Sequence, residues 1–303
     1  MIQRNKEGSL MQAVLILAHK NFDQVAQLSK LLQRKFEIYI HFDKKYRLTA
    51  QQVEWLQKNS IHYISEIEVH WGGWSIGEAA FRLMKLALSN PQITHVHLIS
   101  GQDWPVMNID DLYNFYENND HIYCVYHKAS EYRITNELPE WWQKFYFNYD
   151  TVNRRTVFGK FYHRILLYGQ MLFHVNKLKK LGINLELYHG ANWCDLPRDA
   201  AQYCIDYMNN HPEFIKMLKT GAFSDEFWVQ TILCNSPQFQ SRIVNDFHRY
   251  VKWEHQNGGW PANLDNRDFE LITQNPDYQF ARKFEPEYST ELIQKLNHYY
   301  HND

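Results

Sequence analysis

Short apolar runs alternate with segments of helical periodicity along the first part of the chain. Residues 12–19 (QAVLILAH) are almost continuously apolar, which is typical of a strand buried on both faces. Residues 23–35 carry apolar side chains at helical spacing, and residues 36–42 (FEIYIHF) are rich in β-forming residues and lead into Asp43. A strand, a helix and a second strand within about thirty residues predict a βαβ unit.

The alternation continues downstream. Ser75 is the predicted N-cap of a helix over 76–88, and Glu78 completes a capping box. The turn Gly101-Gln-Asp-Trp-Pro105 follows a predicted strand, and ligands bind at the carboxyl ends of strands in open α/β sheets. The other predicted elements are strands over 94–100 and 121–127, a strand or turn over 188–194, and helices over 110–118, 197–209, 224–234 and 289–299. This order predicts an α/β fold with a central, mostly parallel sheet flanked by helices.

Residues 130–160 differ from the rest, because they are aromatic, charged and without regular periodicity. We interpret them as a long surface loop region, which in a compact domain is often functional. There is no internal repeat, low-complexity tract or linker, so we predict one domain over 1–303, with a nucleotide-binding half at about 12–128 and an acceptor and catalytic half at about 129–303.

Composition narrows the class of protein. The 303 residues are 45% hydrophobic and 22% charged, as in globular proteins, and the formal charge of −2 argues against nucleic-acid binding. Aromatic residues make up 16% of the chain, with 20 Tyr, 18 Phe and 10 Trp. Such rings stack on the flat faces of sugars but also fill protein cores, so composition leaves both uses open.

The cellular compartment is predicted from the lack of paired cysteines, of a signal peptide and of a membrane span. The four cysteines are widely spaced without a CxxC pair, which favours free thiols in a reducing compartment. The first ten residues are polar, and there is no apolar run of about 18 residues, so neither a signal peptide nor a membrane span is predicted. We therefore expect a cytoplasmic protein, with peripheral membrane contact at the inner face left open.

Several catalytic and metal-binding motifs are missing. The chain has no GxGxxG, GxxxxGK[ST], GxSxG or HExxH motif. His95 and His97 share one strand face, but no further ligands follow at a suggestive spacing. No Asp-x-Asp pair follows a central strand to hold a metal against a pyrophosphate, so arginine and lysine would have to stabilise such a leaving group. We expect no metal and no other cofactor.

An ordered set of short motifs resembles glycosyltransferase family 14, which contains the core-2/I-branching β-1,6-N-acetylglucosaminyltransferases and the peptide O-xylosyltransferases. The motifs cover roughly residues 12–285 and are Ile40-His-Phe-Asp43, Trp71-Gly-Gly-Trp-Ser75, Leu98-Ile-Ser-Gly-Gln-Asp-Trp-Pro105, His189-Gly-Ala-Asn-Trp193, Ser224-Asp-Glu-Phe-Trp228, Arg249-Tyr-Val-Lys-Trp253 and Phe280-Ala-Arg-Lys-Phe284. The resemblance implies a GT-A fold, a UDP-sugar donor and metal-independent, inverting transfer to a glycan hydroxyl. The membrane anchor and disulfides of animal members are missing, so the chain is similar to a bacterial member.

The resemblance also implies catalytic residues. The family's catalytic glutamate matches Glu226, which we expect to be the general base; Ser224 as N-cap would put it in a first helical turn, where the dipole favours a carboxylate. Without the resemblance, Glu226 is an ordinary acidic residue of that turn. Asp103 is the rival, because the family's xylosyltransferases carry an aspartate at this place. It acts as the base, binds a sugar hydroxyl, or holds the loop as an Asx-turn residue.

Donor-binding residues follow from the same matches. Lys283 corresponds to the lysine that contacts the UDP phosphates in the family's N-acetylglucosaminyltransferases, with Arg282 beside it. A second basic partner is expected from Arg249 or Arg267. Asp43 is expected at the uridine or ribose unless it only ends its strand, and His19 is expected to line the nucleoside pocket.

The substrate-binding candidates are mostly aromatic. Trp71, Gly73 and Trp74 belong to a turn where glycine lets the backbone approach a ligand, or where the turn simply packs on the sheet. Trp193 and Trp253 are expected to stack on the acceptor, and Glu137 and Lys144 to bind its hydroxyls. The expected donor is UDP-N-acetylglucosamine, with UDP-xylose second, in surface polysaccharide or lipopolysaccharide synthesis. The competing hypotheses are a metal-dependent transferase and a non-catalytic carbohydrate- or nucleotide-binding protein on the same fold.

Overall fold

The fold is built on a mostly parallel β-sheet with helices on both faces. The structure is a computed structural model and describes residues 10–117, 119–131, 141–152 and 156–302. Its strands are β1 (Met11–Ala18), β2 (Glu37–Phe42), β3 (His62–Ile64), β4 (Ile93–Ser100), β5 (Asp103–Pro105), β6 (Ile122–Cys124), β7 (His127–Lys128), β8 (Tyr188–His189), β9 (Cys194–Pro197), β10 (Ile243–Val244), β11 (Arg249–Val251) and β12 (Phe280–Arg282).

Helices connect and cover these strands. They are α1 (Phe22–Leu32), α2 (Ala50–Lys58), α3 (Trp74–Leu88), α4 (Ile109–Glu117), α5 (Val157–Leu172), α6 (Lys177–Leu181), α7 (Arg198–Asn210), α8 (Pro212–Lys219), α9 (Trp228–Cys234), α10 (Pro237–Gln240), α11 (Phe269–Thr273) and α12 (Pro286–Tyr299). Short 3₁₀ turns occur at Trp141–Gln143, Ser224–Glu226 and Asn266–Asp268. No helix in the described ranges is both long and apolar enough to cross a bilayer.

The central sheet contains seven strands in the order β10-β6-β9-β4-β1-β2-β3 within the described part of the chain. Strands β4, β1, β2 and β3 run parallel, whereas β9 is antiparallel to both β4 and β6. Strand β1 lies at the centre and is apolar on both sides: Leu15 packs into the core on one face, and Val14 and Ile16 into the core on the other. The predicted α/β architecture with a mostly parallel sheet flanked by helices is confirmed.

A second, three-stranded sheet lies beside the first and joins distant parts of the chain. Strand β12 pairs antiparallel with β5 and parallel with β11. In the β5–β12 ladder, Arg282 lies directly opposite Asp103. Because directly opposite residues bring their side chains together, this register sets up the ion pair described below.

The helix starts differ from the sequence predictions at two motifs. Gly73, not Ser75, is the N-cap of α3, and the Ser75 hydroxyl instead accepts from the His70 N–H at 2.8 Å and donates to Asp150 at 2.9 Å. Ser224 does not cap α9, because residues 224–226 form a separate 3₁₀ turn and α9 begins at Trp228. Neither predicted cap therefore forms, and Glu226 precedes α9 instead of lying in its first turn.

The predicted loop region over 130–160 is only partly described. Tyr146 and Tyr149 from this region pack into the main core, and α5 begins at Val157, inside the range predicted to be irregular. Tyrosine is compatible with a core position, because its aromatic ring buries apolar area and only its hydroxyl needs a polar partner. Thus part of the described region packs into the core, whereas other residues, such as Phe147 and Val157, are exposed as predicted for a surface segment.

Candidate active site

A cleft of about 740 Å³ opens at the carboxyl ends of β1, β2 and β4. His19 and Lys20 follow β1, Asp43 follows β2, and Ser100 is the last residue of β4. All four residues line the cleft. The chain passes from β1 outward to β2 and β3 and then returns to place β4 on the other side of β1. Such a change of direction leaves a crevice above the strand ends, where α/β proteins bind ligands.

The side of the cleft next to β2 is polar and internally hydrogen-bonded. The Asp43 carboxylate accepts backbone N–H groups from Lys45 at 2.9 Å and Val69 at 3.3 Å, and Lys45 Nζ lies 3.4 Å from it. His19 faces the same space, and burial together with the positive charge of Lys20 lowers its pKa. Both predicted nucleoside-binding residues, Asp43 and His19, thus line the cleft.

Arg282 and Asp103 form a buried ion pair at the floor of the cleft. An Arg282 guanidinium nitrogen lies 3.5 Å from Asp103 Oδ1, and the guanidinium lies over the Trp193 ring, 3.8 Å from its centre. Trp193 also donates its indole N–H to Asp103 at 3.2 Å. Burial lowers the pKa of Arg282, and the negative charge of Asp103 opposes this effect. The nitrogen of this ion pair is Nη1, and its contact with Asp103 is too long for a good hydrogen bond, so it retains capacity for an anionic ligand.

Lys283 is the next residue and also lines the cleft. Its Nζ lies 3.4 Å from the Trp260 carbonyl oxygen, and no carboxylate of the described residues lies within 4.0 Å of it. Burial and the charges of Arg282 and Lys20 lower the pKa of Lys283. Lys20, by contrast, is paired with Glu285. Three cations therefore meet in one wall of the cleft with two carboxylates to balance them.

Glu226 lines the cleft at the end of the 3₁₀ turn. Its Oε2 lies 2.7 Å from His189 Nε2, and its backbone carbonyl accepts the Gly190 N–H at 2.9 Å. The Glu226 side chain is 31% exposed, whereas the His189 side chain is 7% exposed. The carboxylate therefore lies beside the His189 ring and is partly exposed to the cleft, and an accessible carboxylate of this kind can accept a proton as a general base.

The neighbouring carboxyl of Asp225 is in a different environment. It is buried, and burial followed by the negative charge of Glu226 raises its pKa well above the ordinary value. The Asp225 carboxyl is therefore favoured in its neutral form.

Two predicted phosphate-binding arginines lie outside the cleft, which corrects their expected position. Arg249 is buried in the core, where it donates to Asp195 at 2.9 Å, and Asp195 also contacts His97 at 3.0 Å. Burial opposes ionisation of Asp195, but the charge and hydrogen bonds of Arg249 more than offset it, so the pKa of Asp195 lies well below its usual range. Arg267 lies in another surface depression and pairs with Asp265 at 2.6 Å. Lys20 and Arg282, in contrast, line the cleft together with Lys283.

The aromatic candidates divide between cleft and core. Trp71 is exposed and lines the cleft, as does Trp193, although Arg282 occupies one face of the Trp193 ring. Trp74 is instead buried, with its ring edge-on to Trp228 at 6.1 Å, and Trp253 is exposed but outside the cleft. Trp74 is therefore closed off from the cleft, whereas acceptor stacking by the exposed Trp253 stays a prediction.

Three further predictions concern the acceptor side. A Cβ at Gly73 would lie 1.6 Å from Asp150 Oδ1, so its lack of a side chain serves close packing and not ligand approach. Lys144 lies outside the cleft and donates to the Val175 carbonyl at 2.8 Å. Glu137 lies outside the described residues.

Sequence reasoning missed Lys20 and the role of His189. Lys20 follows the first predicted strand, so its position at a carboxyl strand end was a usable signal. His189 belongs to one of the matching motifs, but its contact with Glu226 had no signal in the sequence, because the two residues lie in separate parts of the chain. In the described ranges, no group of three or more histidine, cysteine, aspartate or glutamate side chains is arranged to hold a metal ion. His95 and His97 contact the Asn119 carbonyl and Asp195, respectively, at 2.9 and 3.0 Å.

The sequence profile of the core-2/I-branching enzyme family matches residues 13–274. The chain belongs to this family. The resemblance inferred from the ordered motifs is therefore confirmed, and the chain is a member of a glycosyltransferase family.

Curated relatives of this family member match over shorter stretches. Beta-glucuronosyltransferase GlcAT14A from Arabidopsis thaliana is 28% identical over 117 residues, which are 38% of this chain and 26% of the relative. GlcAT14C from the same plant is 30% identical over 95 residues, 31% of this chain and 24% of the relative. The matches thus span about a quarter of the length of these relatives. The apo structure of the bifunctional glycosyltransferase WbbM aligns with a TM-score of 0.38 at 13% identity, over 91% of this chain and 46% of that one.

Proposed function

We propose that this family member is an inverting glycosyltransferase that moves a sugar from a UDP-sugar to a hydroxyl of a glycan acceptor. The observation that carries the proposal is the joint presence, in one cleft, of the His189-contacted carboxylate of Glu226 and of the cations Lys20, Arg282 and Lys283. A transfer reaction needs a base for the incoming hydroxyl and positive charge for the departing diphosphate.

The chemistry would proceed by a single in-line displacement. The acceptor oxygen forms a bond to the anomeric carbon of the donor while the bond from that carbon to the β-phosphate oxygen breaks. Glu226 takes the acceptor proton, and UDP leaves with the bonding electron pair. With an α-linked donor the product is β-linked, because the attack occurs on the opposite face.

His189 and Asp225 would support Glu226 in different ways. His189 contacts Oε2 at 2.7 Å, which leaves Oε1 for the acceptor hydroxyl. Asp225 is buried, and its raised pKa keeps a second negative charge away from the base. Proton transfer would therefore converge on one carboxylate.

Lys283 and Arg282 would stabilise the diphosphate. Both line the cleft, and the Nη1 atom of Arg282 has only a long, 3.5 Å contact with Asp103 among the described residues. Arginine and lysine form strong charge-assisted hydrogen bonds with phosphate oxygens. We propose that these side chains do the work of a divalent ion, so the reaction would need no added metal.

The donor sugar is a narrower question within the same proposal. The motif resemblance favours UDP-N-acetylglucosamine, with UDP-xylose second, whereas the names of the curated relatives add UDP-glucuronic acid to the candidates. We further propose that the reaction contributes to the synthesis of a surface polysaccharide. UDP release should be measured with all three donors in excess EDTA. Activity that is lost in EDTA and restored by Mn²⁺ would favour the metal-dependent alternative.

Glu226→Gln tests the assignment of the base. Turnover should fall by about 10²-fold or more, the usual effect of losing a general base, while the Kd for UDP stays nearly constant. The matched control is Glu254→Gln, because Glu254 lies outside the cleft. Unchanged turnover in Glu226→Gln would remove Glu226 from the mechanism. UDP binding by the wild type without turnover on any donor or acceptor would favour a non-catalytic binding protein.

A further inference from the structure

Helix α5 presents an apolar stripe to solvent. Phe161, Ile165, Tyr168 and Leu172 follow one another at intervals of four, three and four residues, which places them on one face of the helix. Their exposed fractions are 65%, 54%, 66% and 74%. Val157, Phe158 and Phe173 extend the exposed apolar surface at both ends of the helix. Apolar patches of this kind commonly mark an interaction site.

The opposite face of α5 is fixed to the rest of the fold by polar groups. The Gln170 side chain accepts from the Phe145 N–H at 2.7 Å and donates to the Phe145 carbonyl at 2.8 Å. His163 is buried and packs against Tyr149. These contacts hold the apolar stripe outward, which is the reverse of the usual arrangement of a surface helix.

Positive charge accompanies the stripe. Residues 151–185 contain no aspartate or glutamate, although the whole chain has a formal charge of −2. Lys160 and Arg164 are exposed along one edge of α5, and Lys179 and Lys180 are exposed on α6. Helix α6 follows α5 in the chain after four residues, and we call the exposed apolar and cationic side chains of these two helices the α5 face.

We propose that the α5 face binds in the interface of an anionic phospholipid bilayer, with the apolar stripe among the acyl chains and the four cations at the headgroups. An aromatic and aliphatic face edged by lysine and arginine is the composition of interfacial helices. A second copy of the chain is the poorer occupant, because a symmetric contact would bring the same cations together from both sides. The proposal does not depend on the catalytic function.

Vesicle flotation with the whole protein tests the proposal. The wild type should float with vesicles of phosphatidylcholine and phosphatidylglycerol in equal parts, bind phosphatidylcholine alone weakly, and lose binding in high salt. Phe161→Ser with Leu172→Ser should weaken partitioning by about tenfold or more, because two large apolar side chains are removed from the bilayer. Lys160→Glu with Arg164→Glu should weaken it by a similar factor.

Matched controls carry the same changes on other surfaces. Leu271→Ser with Tyr299→Ser alters two exposed apolar residues, and Lys58→Glu with Lys85→Glu alters two exposed lysines. Both control variants should float like the wild type, and thermal unfolding should show that every variant is folded. The proposal is overturned if the wild type does not float or if the α5 variants float equally well. It is also overturned if light scattering shows a wild-type dimer that the Phe161→Ser and Leu172→Ser changes dissociate, since a second copy would then cover the face.

Discussion

The Asp103→Asn variant separates a supporting role of Asp103 from a catalytic one. Asp103 is 1% exposed and Arg282 is 7% exposed, so the substitution would leave a buried guanidinium without its carboxylate. Removing one partner of a buried ion pair costs about 3–5 kcal/mol. The 3.5 Å separation and the retained contact of Arg282 with Trp193 reduce the expected loss, so we expect about 2–3 kcal/mol. In a chain of 303 residues such a loss lowers the Tm by roughly 3–5 °C.

The response to UDP provides the decisive readout. If the diphosphate lies against Arg282, its negative charge takes the place of the lost carboxylate, and UDP should raise the Tm of Asp103→Asn by more than it raises that of the wild type. Stability should be measured by thermal and urea unfolding with and without UDP, and turnover by UDP release. Turnover should fall by less than in Glu226→Gln, because the base is retained.

A surface ion pair and a double-mutant cycle serve as controls. Asp110→Asn breaks an exposed pair with Lys35 at 2.8 Å and should cost less than about 1 kcal/mol. Asp103→Asn combined with Arg282→Met should be less destabilising than the sum of the two single changes. If Asp103→Asn is as stable as the wild type and turnover falls by about 10²-fold, Asp103 is a catalytic group and its supporting role toward Arg282 is refuted.

Three other substitutions test residues that line the cleft or contact its lining. Lys283→Met should weaken UDP binding by about tenfold or more in calorimetry, because a charge-assisted hydrogen bond to phosphate is lost, and an unchanged Kd would contradict that contact. Asp225→Asn should stabilise the protein, and the gain should grow as pH rises above the usual carboxyl pKa of about 4. The raised pKa keeps the folded wild type protonated while the unfolded carboxyl ionises, so the wild type loses stability over that range. A gain in urea unfolding that is independent of pH would refute this. Gly190→Ala should destabilise by about 1–3 kcal/mol, because its Cβ would meet the Val125 carbonyl oxygen at 1.7 Å. Gly169→Ala is its control, with no atom within 4 Å of the added Cβ, and equal Tm losses in the two variants would show that the close approach is not the cause.

Much of the fold follows from local patterns. The apolar run at the start of β1 and the alternation with α1 and β2 are periodic signals that depend only on neighbouring residues, and the structure contains these elements within a few positions of the prediction. The ordered motifs identified the family. The helix cap predicted at Ser75 does not form. The Ser75 hydroxyl instead donates to Asp150, which lies in a distant segment, and this hydrogen bond competes with capping of α3.

The candidate site was predictable where its residues lie at strand ends. His19 and Asp43 follow β1 and β2 directly, so the parallel sheet alone brings them to one edge. The position of Arg249 was predicted wrongly, because a basic residue in a matching motif can either bind a ligand or form an ion pair in the core. Only its buried partner Asp195 distinguishes the two, and no spacing in the sequence reveals that partner.

Local patterns along the chain were sufficient to predict the alternation of strands and helices, the sheet edge at which His19 and Asp43 meet, and the family. Tertiary structure alone decided that Asp103 faces Arg282 across the β5–β12 ladder, that His189 contacts Glu226, and that the stripe of α5 faces solvent. The physical reason is that helical and strand periods are set by neighbours along the chain. Pairing of strands and the direction in which a helix face points depend instead on residues far away in sequence, whose packing no local pattern records.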